Sequence, residues 1–164
     1  MKIIIGIMGP GKNALSVDLE NAYQLGQLIA QEGWLLLTGG RKAGVMEAAS
    51  QGTKSSGGMT IGILPGNNYE GVSEAVDIAI VTDMGNARNN INVLSSHVVI
   101  ACGLGVGTTS EIALALKADK PVILLNNQPE SYQFFQNLNP NNFYFTQDVK
   151  SAIAKVKEIL KIIK

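Results

Sequence analysis

The chain has 164 residues, with 13 Lys+Arg balanced by 13 Asp+Glu, one His and one Cys, which is room for one domain with a substantial core and too little for two. A formal net charge of zero, with no Lys/Arg run longer than two, leaves no electrostatic footprint for tracking a phosphate backbone and excludes nucleic acid as the primary partner. A lone Cys102 rules out an internal disulfide framework and a thiolate metal site, and the opening apolar run, 3–8, is too short for a secretory leader or a membrane span; a soluble, cytoplasmic protein is expected.

Taken in chain order, apolar runs of strand length alternate with segments of helical period. Residues 2–8 form a β-branched run suited to a buried strand, and 16–33 follow as a helix with Ser16 as N-cap and Leu19, Tyr23, Leu25 and Ile29 among its apolar positions. A second strand over 34–37 runs into Thr38-Gly39-Gly40, and a helix over 43–54 carries Gly44, Val45 and Met46 in its first turn. Residues 59–64 give a third strand closed by Pro65-Gly66, 67–74 a polar loop, and 77–81 a fourth strand. An Asn-rich helix is expected over 86–96, a fifth strand over 98–101, a glycine loop over 102–107, and a helix over 108–118 that is apolar on nearly every face. A sixth strand, 121–125, precedes an Asn-rich stretch, 126–142, read as loop with one helical turn, and 143–145 make a short edge strand. The amphipathic tail, 148–164, places Ile153, Val156, Leu160 and Ile163 at spacings of three and four and caps the core. This alternation, with strands continuously apolar, predicts a doubly wound α/β fold: one three-layer domain over 1–164 on a mostly parallel sheet.

In such a sheet ligands bind beyond the carboxyl ends of the strands, where crossovers diverge. After the fifth strand, Cys102-Gly103-Leu104-Gly105-Val106-Gly107-Thr108-Thr109-Ser110-Glu111 sets alternating glycines at the start of a helix with two threonine hydroxyls in its first turn. That is an anion cradle: Gly105 and Gly107 admit a phosphate close to the backbone, and free N–H groups with Thr108 or Thr109 donate to it. It is not a nicotinamide fingerprint, because Thr108 replaces the third glycine and Leu125 is followed by Asn126 and Asn127 rather than by an acidic residue. Gly6-Ile7-Met8-Gly9-Pro10-Gly11-Lys12-Asn13 imitates a nucleotide-triphosphate loop, yet Asn13 stands where magnesium needs a hydroxyl; Lys12 and Asn13 remain candidate contacts for an anion. Arg88, one of two arginines, follows the fourth strand, where a guanidinium can clamp phosphate or a ring carbonyl; Arg41 and Lys42 sit comparably after Gly39-Gly40. Glu111 either caps its own helix or faces the ligand. His97 precedes its strand and reads as structural, Cys102 as a small buried hydrophobe. Glycine, 18 of 164, exceeds the usual ~7%, and charge, 16%, lies below the usual ~25%; the first fits close backbone approach to a ligand, the second a surface covered by another subunit.

Thr38-Gly39-Gly40-Arg41-Lys42-Ala43-Gly44-Val45-Met46-Glu47-Ala48-Ala49 resembles a G-G-x-x-G-[VL]-M-x-x-[AV] segment, and 103–111 resembles P-G-G-x-G-T-x-x-E. Both belong to the Rossmann-like proteins once called lysine decarboxylases, which include cytokinin-activating nucleoside-monophosphate phosphoribohydrolases and molybdenum cofactor carrier proteins. The resemblance covers about 1–125. In the hydrolases it implies catalysis by an Arg of M-H-x-R-K and by the Glu of the glycine motif, positions matched here by Arg88 and Glu111. Gly85-Asn86-Ala87-Arg88-Asn89 lacks that motif's Met-His and Lys, and Gly103-Leu104 replaces Pro-Gly; in these departures the chain looks like the short carrier branch. That branch implies molybdopterin as cargo, held through phosphate and pterin by residues drawn from Gly9, Gly11, Lys12, Asn13, Thr38, Gly39, Gly40, Gly44, Val45, Met46, Arg88, Asn89, Gly105, Gly107, Thr108, Thr109 and Glu111, with no protein ligand to the metal. It further implies a homodimer or homotetramer, with helix 108–118 as an interface element, and molybdenum enzymes or cofactor-synthesis proteins as partners. The alternative is release of free base from AMP-like nucleotides.

Overall fold

Seven strands build one parallel sheet in the order β4-β3-β2-β1-β5-β6-β7 in a computed structural model that describes residues 1–125 and 129–162. The strands are β1 (Ile4–Met8), β2 (Leu35–Thr38), β3 (Thr60–Leu64), β4 (Ile78–Val81), β5 (Val98–Cys102), β6 (Val122–Leu125) and β7 (Phe143–Thr146). The helices are α1 (Ser16–Gln31), α2 (Gly44–Ser55), α3 (Asn89–Ser95), α4 (Val106–Lys117), α5 (Pro129–Leu138) and α6 (Val149–Ile162), with a 3-10 turn at Gly85–Arg88 leading into α3. Asn126 and Asn127, read as loop, and Ile163, expected on the apolar face of the last helix, lie outside the described residues.

Strand alternation sorts the core into two layers, as a sheet covered on both faces requires. Ile5, Ile7, Ile100, Ile123 and Leu125 face α1, α2 and α6, packing on Leu25, Ile29, Val45, Ala49, Ile153, Val156 and Leu160. Met8, Leu37, Val99, Ala101, Val122 and Leu124 face the other way, onto Val93 of α3, Ile112 and Leu116 of α4 and Phe135 of α5. On the edge strand β4, Ile78 and Ile80 remain exposed. Chain order reverses between β1 and β5, whose register pairs Met8 with Ala101. The loops that leave these two strands therefore diverge to opposite faces and open a crevice.

Several local expectations change, among them the helix expected over 86–96, which is a 3-10 turn, Gly85–Arg88, followed by α3, Asn89–Ser95. Ser16 is the first residue of α1 rather than its cap; Leu15 holds the cap position and supplies no side-chain bond. α4 begins at Val106, two residues before the expected start, because Gly105 is already extended (φ −153°, ψ 172°) and its carbonyl accepts the first helical bond from Thr109 N at 2.8 Å. Residues 129–138 form a full helix instead of loop, since burial of Phe135 against Phe143 and of Tyr132 against Phe143 and Phe145 outweighs the polar composition of the segment. The outer side of α4 is less apolar in space than in sequence: Ala113 is exposed and Leu114 half-buried. Among the described residues, no helix is long and apolar enough to cross a membrane.

Two residues singled out as structural behave so. His97 Nδ1 accepts the Ile4 N–H at 3.1 Å, at the end of the sheet opposite the crevice. Cys102 is fully buried and its thiol donates to Asp18 O at 3.2 Å; burial, then the Asp18 charge, push the thiol up to about 12. Folded protein is thus expected to resist a disulfide-exchange reagent at pH 8 and to react at one thiol per chain once denatured. Rapid labelling before denaturation would contradict this packing.

Candidate functional site

At the switch between β1 and β5 lies a cleft of about 300 Å³ lined by Gly9, Pro10, Gly11, Lys12, Arg41, Met46, Asn86, Asn89, Gly105, Val106, Gly107, Thr108 and Glu111. Its floor is buried: Met46, Asn89, Thr108 and Glu111 are each at most 9% exposed. Its rim is open, with Lys12, Arg41, Asn86, Val106 and Gly107 exposed. Val106, Gly107, Pro10 and Gly105 share the lining with Arg41, which is held by backbone bonds of its neighbours, Lys42 N to Gly71 O (2.8 Å) and Ser73 N to Gly40 O (2.9 Å).

The α4 N-terminus points into this cleft without a side-chain cap. The amides of Val106, Gly107 and Thr108 precede the first helical bond and have no backbone acceptor among the described residues. Thr108 is 2% exposed, and its Oγ1 has no partner among the described residues. Gly107 tells function from architecture. A Cβ built on it meets nothing within 4 Å and its φ is not left-handed, so the fold does not require glycine there and the open space serves something else.

Arg88 supplies the second unsatisfied group. Arg88 is 7% exposed, and its Nε and Nη1 are buried and lack partners among the described residues. It lies beneath Gly39, where a Cβ would come within 2.5 Å of Nη1 and 2.7 Å of Met46 Sδ, so this glycine is what admits an arginine to the core. Burial lowers the Arg88 pKa; the nearby Glu111 charge opposes that and Arg41 adds to it. Glu111 is raised by burial, against the Asn92 hydrogen bond and the Arg88 charge. Buried donors without acceptors cost of order 1–3 kcal/mol each, a cost that a bound acceptor relieves.

The two short helices hold this floor rigid. Asn89 Nδ2 donates to Ser110 Oγ at 3.0 Å, Ser110 Oγ donates to Gly107 O at 2.7 Å, and Asn92 Nδ2 donates to Glu111 Oε1 at 2.9 Å. Asparagines three apart on α3 thus read two consecutive residues of α4. Asn92 was not singled out from the sequence; the repeat of Asn at 86, 89, 90 and 92 was the available signal. Pro10, Asn86 and Val106 also join the lining unforeseen.

The other candidates stand behind or beside the cleft. Thr38 is buried and its Oγ1 accepts from Gly40 N at 3.0 Å, while Gly44 packs against Pro10 O and Val45 lies in the core. Asn13 is exposed in a left-handed turn (φ 57°) outside the lining. Thr109 faces the neighbouring groove between α4 and α5, with Leu104 and Phe134. Lys42 is engaged with Glu74 at 2.7 Å on the surface. A larger concavity, about 790 Å³, lies at the β7 edge among Tyr132, Phe143, Phe145 and Lys155, but its lining contains none of the buried unpartnered polar atoms. Among the described residues, no three His, Cys, Asp or Glu side chains are grouped to hold a metal ion.

A doubly wound sheet with an uncapped helix N-terminus at its switch point, and beside it a buried guanidinium with two nitrogens unpartnered among the described residues, defines a Rossmann-like protein whose crevice suits a small anionic ligand. The model of the SLOG cluster4 family matches residues 2–155, and the chain belongs to that family. Solved structures similar to it include the molybdenum cofactor binding protein of the phototrophic bacterium Rippkaea orientalis, 62% identical over 98% of both chains with a TM-score of 0.96. The Moco carrier protein of Chlamydomonas reinhardtii is 52% identical over 98% of this chain and 99% of that one, with a TM-score of 0.93. A cytokinin riboside 5'-monophosphate phosphoribohydrolase of Mycobacterium tuberculosis is 32% identical over 116 residues, 66% of this chain and 62% of the enzyme.

Proposed function

We propose that this chain binds, protects and carries the molybdenum cofactor, with the cofactor's phosphate on the α4 N-terminus and its pterin over the buried floor of the cleft. The observation that carries this reading is the pairing of unsatisfied donors, Arg88 and Thr108, with a helix start left open at Gly105 and Gly107. The cargo's dithiolene already holds its metal, so a carrier needs anion donors and polar groups for a pterin rather than a cluster of metal ligands; Thr108 and Asn89 in the floor, with Arg88 outside the lining under Gly39, are such groups. Gly9, Gly11, Lys12 and Met46 complete the wall, and Thr38, Gly39, Gly40, Gly44 and Val45 shape it from behind. The two cofactor proteins of similar structure, aligned over 98% of this chain, support the same reading.

Self-association as a homodimer or homotetramer, a cytoplasmic setting and transfer to molybdenum enzymes or cofactor-synthesis proteins belong to this proposal. A second reading, N-glycosidic cleavage of nucleoside 5'-monophosphates, is favoured by one observation, the electrostatic contact of Arg88 with Glu111. Thr108→Val tests the carrier reading: losing one hydroxyl bond to a phosphate should weaken cofactor retention about 5- to 10-fold at unchanged fold. Equal retention would reject the cradle.

A further inference from the structure

Glu111 has no role in holding phosphate, and it is not a cap, since its carboxylate reaches α3 rather than the start of its own helix. Oε1 accepts from Asn92, and no hydrogen bond reaches Oε2 among the described residues. Oε2 is not among the fully buried unpartnered atoms either, although the residue is 8% exposed and lines the cleft. One oxygen is therefore fixed and the other is open toward the cleft that Glu111 lines. A buried carboxylate with one oxygen held and the other open offers the cleft an acceptor for an N–H donor.

Resting on the carrier reading, we infer that Glu111 reads the aminopyrimidinone edge of the pterin, its open Oε2 accepting from the 2-amino group, so that the cofactor enters pterin first. Its anionic metal-bearing end then lies at the rim beside the exposed cations Lys12 and Arg41, where an acceptor protein can reach it. Arg88 is the positioning residue: burial raises the Glu111 carboxyl above its ordinary value, and the Asn92 hydrogen bond and then the Arg88 charge oppose that rise, toward the form in which Oε2 is an acceptor. Asn92 fixes the rotamer by holding Oε1. Rim and floor thereby sort the two ends of the ligand by chemistry, cations outward and a carboxylate acceptor inward.

The test compares 6-(hydroxymethyl)pterin phosphate with the corresponding lumazine phosphate, in which oxygen replaces the 2-amino group, by fluorescence titration of the full chain. Wild type is expected to prefer the pterin by roughly ten-fold or more, because a site built for a donor leaves an oxygen facing an oxygen in the analogue. In Glu111→Gln the amide oxygen takes the Asn92 donor and the NH₂ turns to the cleft, so the preference should collapse or reverse toward lumazine. A merely structural Glu111 would change both affinities and leave their ratio alone. Equal binding of the two ligands by wild type, or an unchanged ratio in the variant, would overturn this inference while leaving the carrier reading in place. Failure of wild type to bind either ligand would overturn both.

Discussion

Gly107→Asp is expected to reduce affinity for the phosphorylated cofactor about 100-fold, on the order of 3 kcal/mol, without loss of the fold. The two effects separate because of where Gly107 sits. It occupies the second position of α4, exposed, with no atom near a built Cβ, so the substitution meets no steric barrier. A carboxylate in a first helical turn also interacts favourably with the helix dipole, by about 0.3–1 kcal/mol, so the melting temperature should hold or rise slightly. The same carboxylate competes for the amides of Val106, Gly107 and Thr108 and repels a phosphate a few ångströms away. Calorimetric titration alongside thermal melts reads both quantities. Full affinity in a folded variant would mean that the phosphate lies elsewhere.

Gly52→Ala should act in the opposite way, on stability and not directly on the ligand. α1 and α2 cross at two glycines: a Cβ on Gly52 would stand 2.0 Å from Tyr23 O, and one on Gly26 would stand 2.2 Å from Ala49 O. Both obstacles are backbone, so the helices themselves must move apart. Thr53 Oγ1, which donates to Gly26 O at 3.1 Å, would be strained by that movement. Overpacking of this kind costs typically 1–3 kcal/mol, and the gain in helix propensity from alanine, about 1 kcal/mol, does not offset displacement of two backbones. A net loss of about 2 kcal/mol corresponds to a melting temperature lower by roughly 4–8 °C. Because Met46 in the first turn of α2 forms part of the cleft floor, ligand should partly restore the melting temperature by mass action. A variant as stable as wild type would show that the crossing is looser than these distances.

The architecture was legible because its physics is local. Strands buried on both faces must be continuously apolar, as in Val98–Cys102 and Val122–Leu125, and the glycine loop before α4 is contiguous in sequence. What escaped depends on contacts between distant segments. The helix over Pro129–Leu138 is polar by composition, and only the packing of Phe135 on Phe143 explains it. Gly26 and Gly52 look like ordinary weak points of helices until the two chains of backbone are seen to touch. Position after the fourth strand puts Arg88 near the site, but its burial under Gly39 joins residues 49 positions apart and shows only in the fold. The same holds for Asn92 and Glu111, 19 apart and 2.9 Å from each other in the core.

The central claim is that this cleft holds the molybdenum cofactor, and the most direct measurement mixes purified protein with extracted cofactor, separates the mixture by gel filtration and oxidises the protein peak to reveal pterin fluorescence. The account predicts fluorescence that travels with the protein, persists in excess AMP and is accompanied by no release of adenine. A protein peak without pterin, together with free adenine from AMP, would contradict it and assign the cleft to nucleotide hydrolysis.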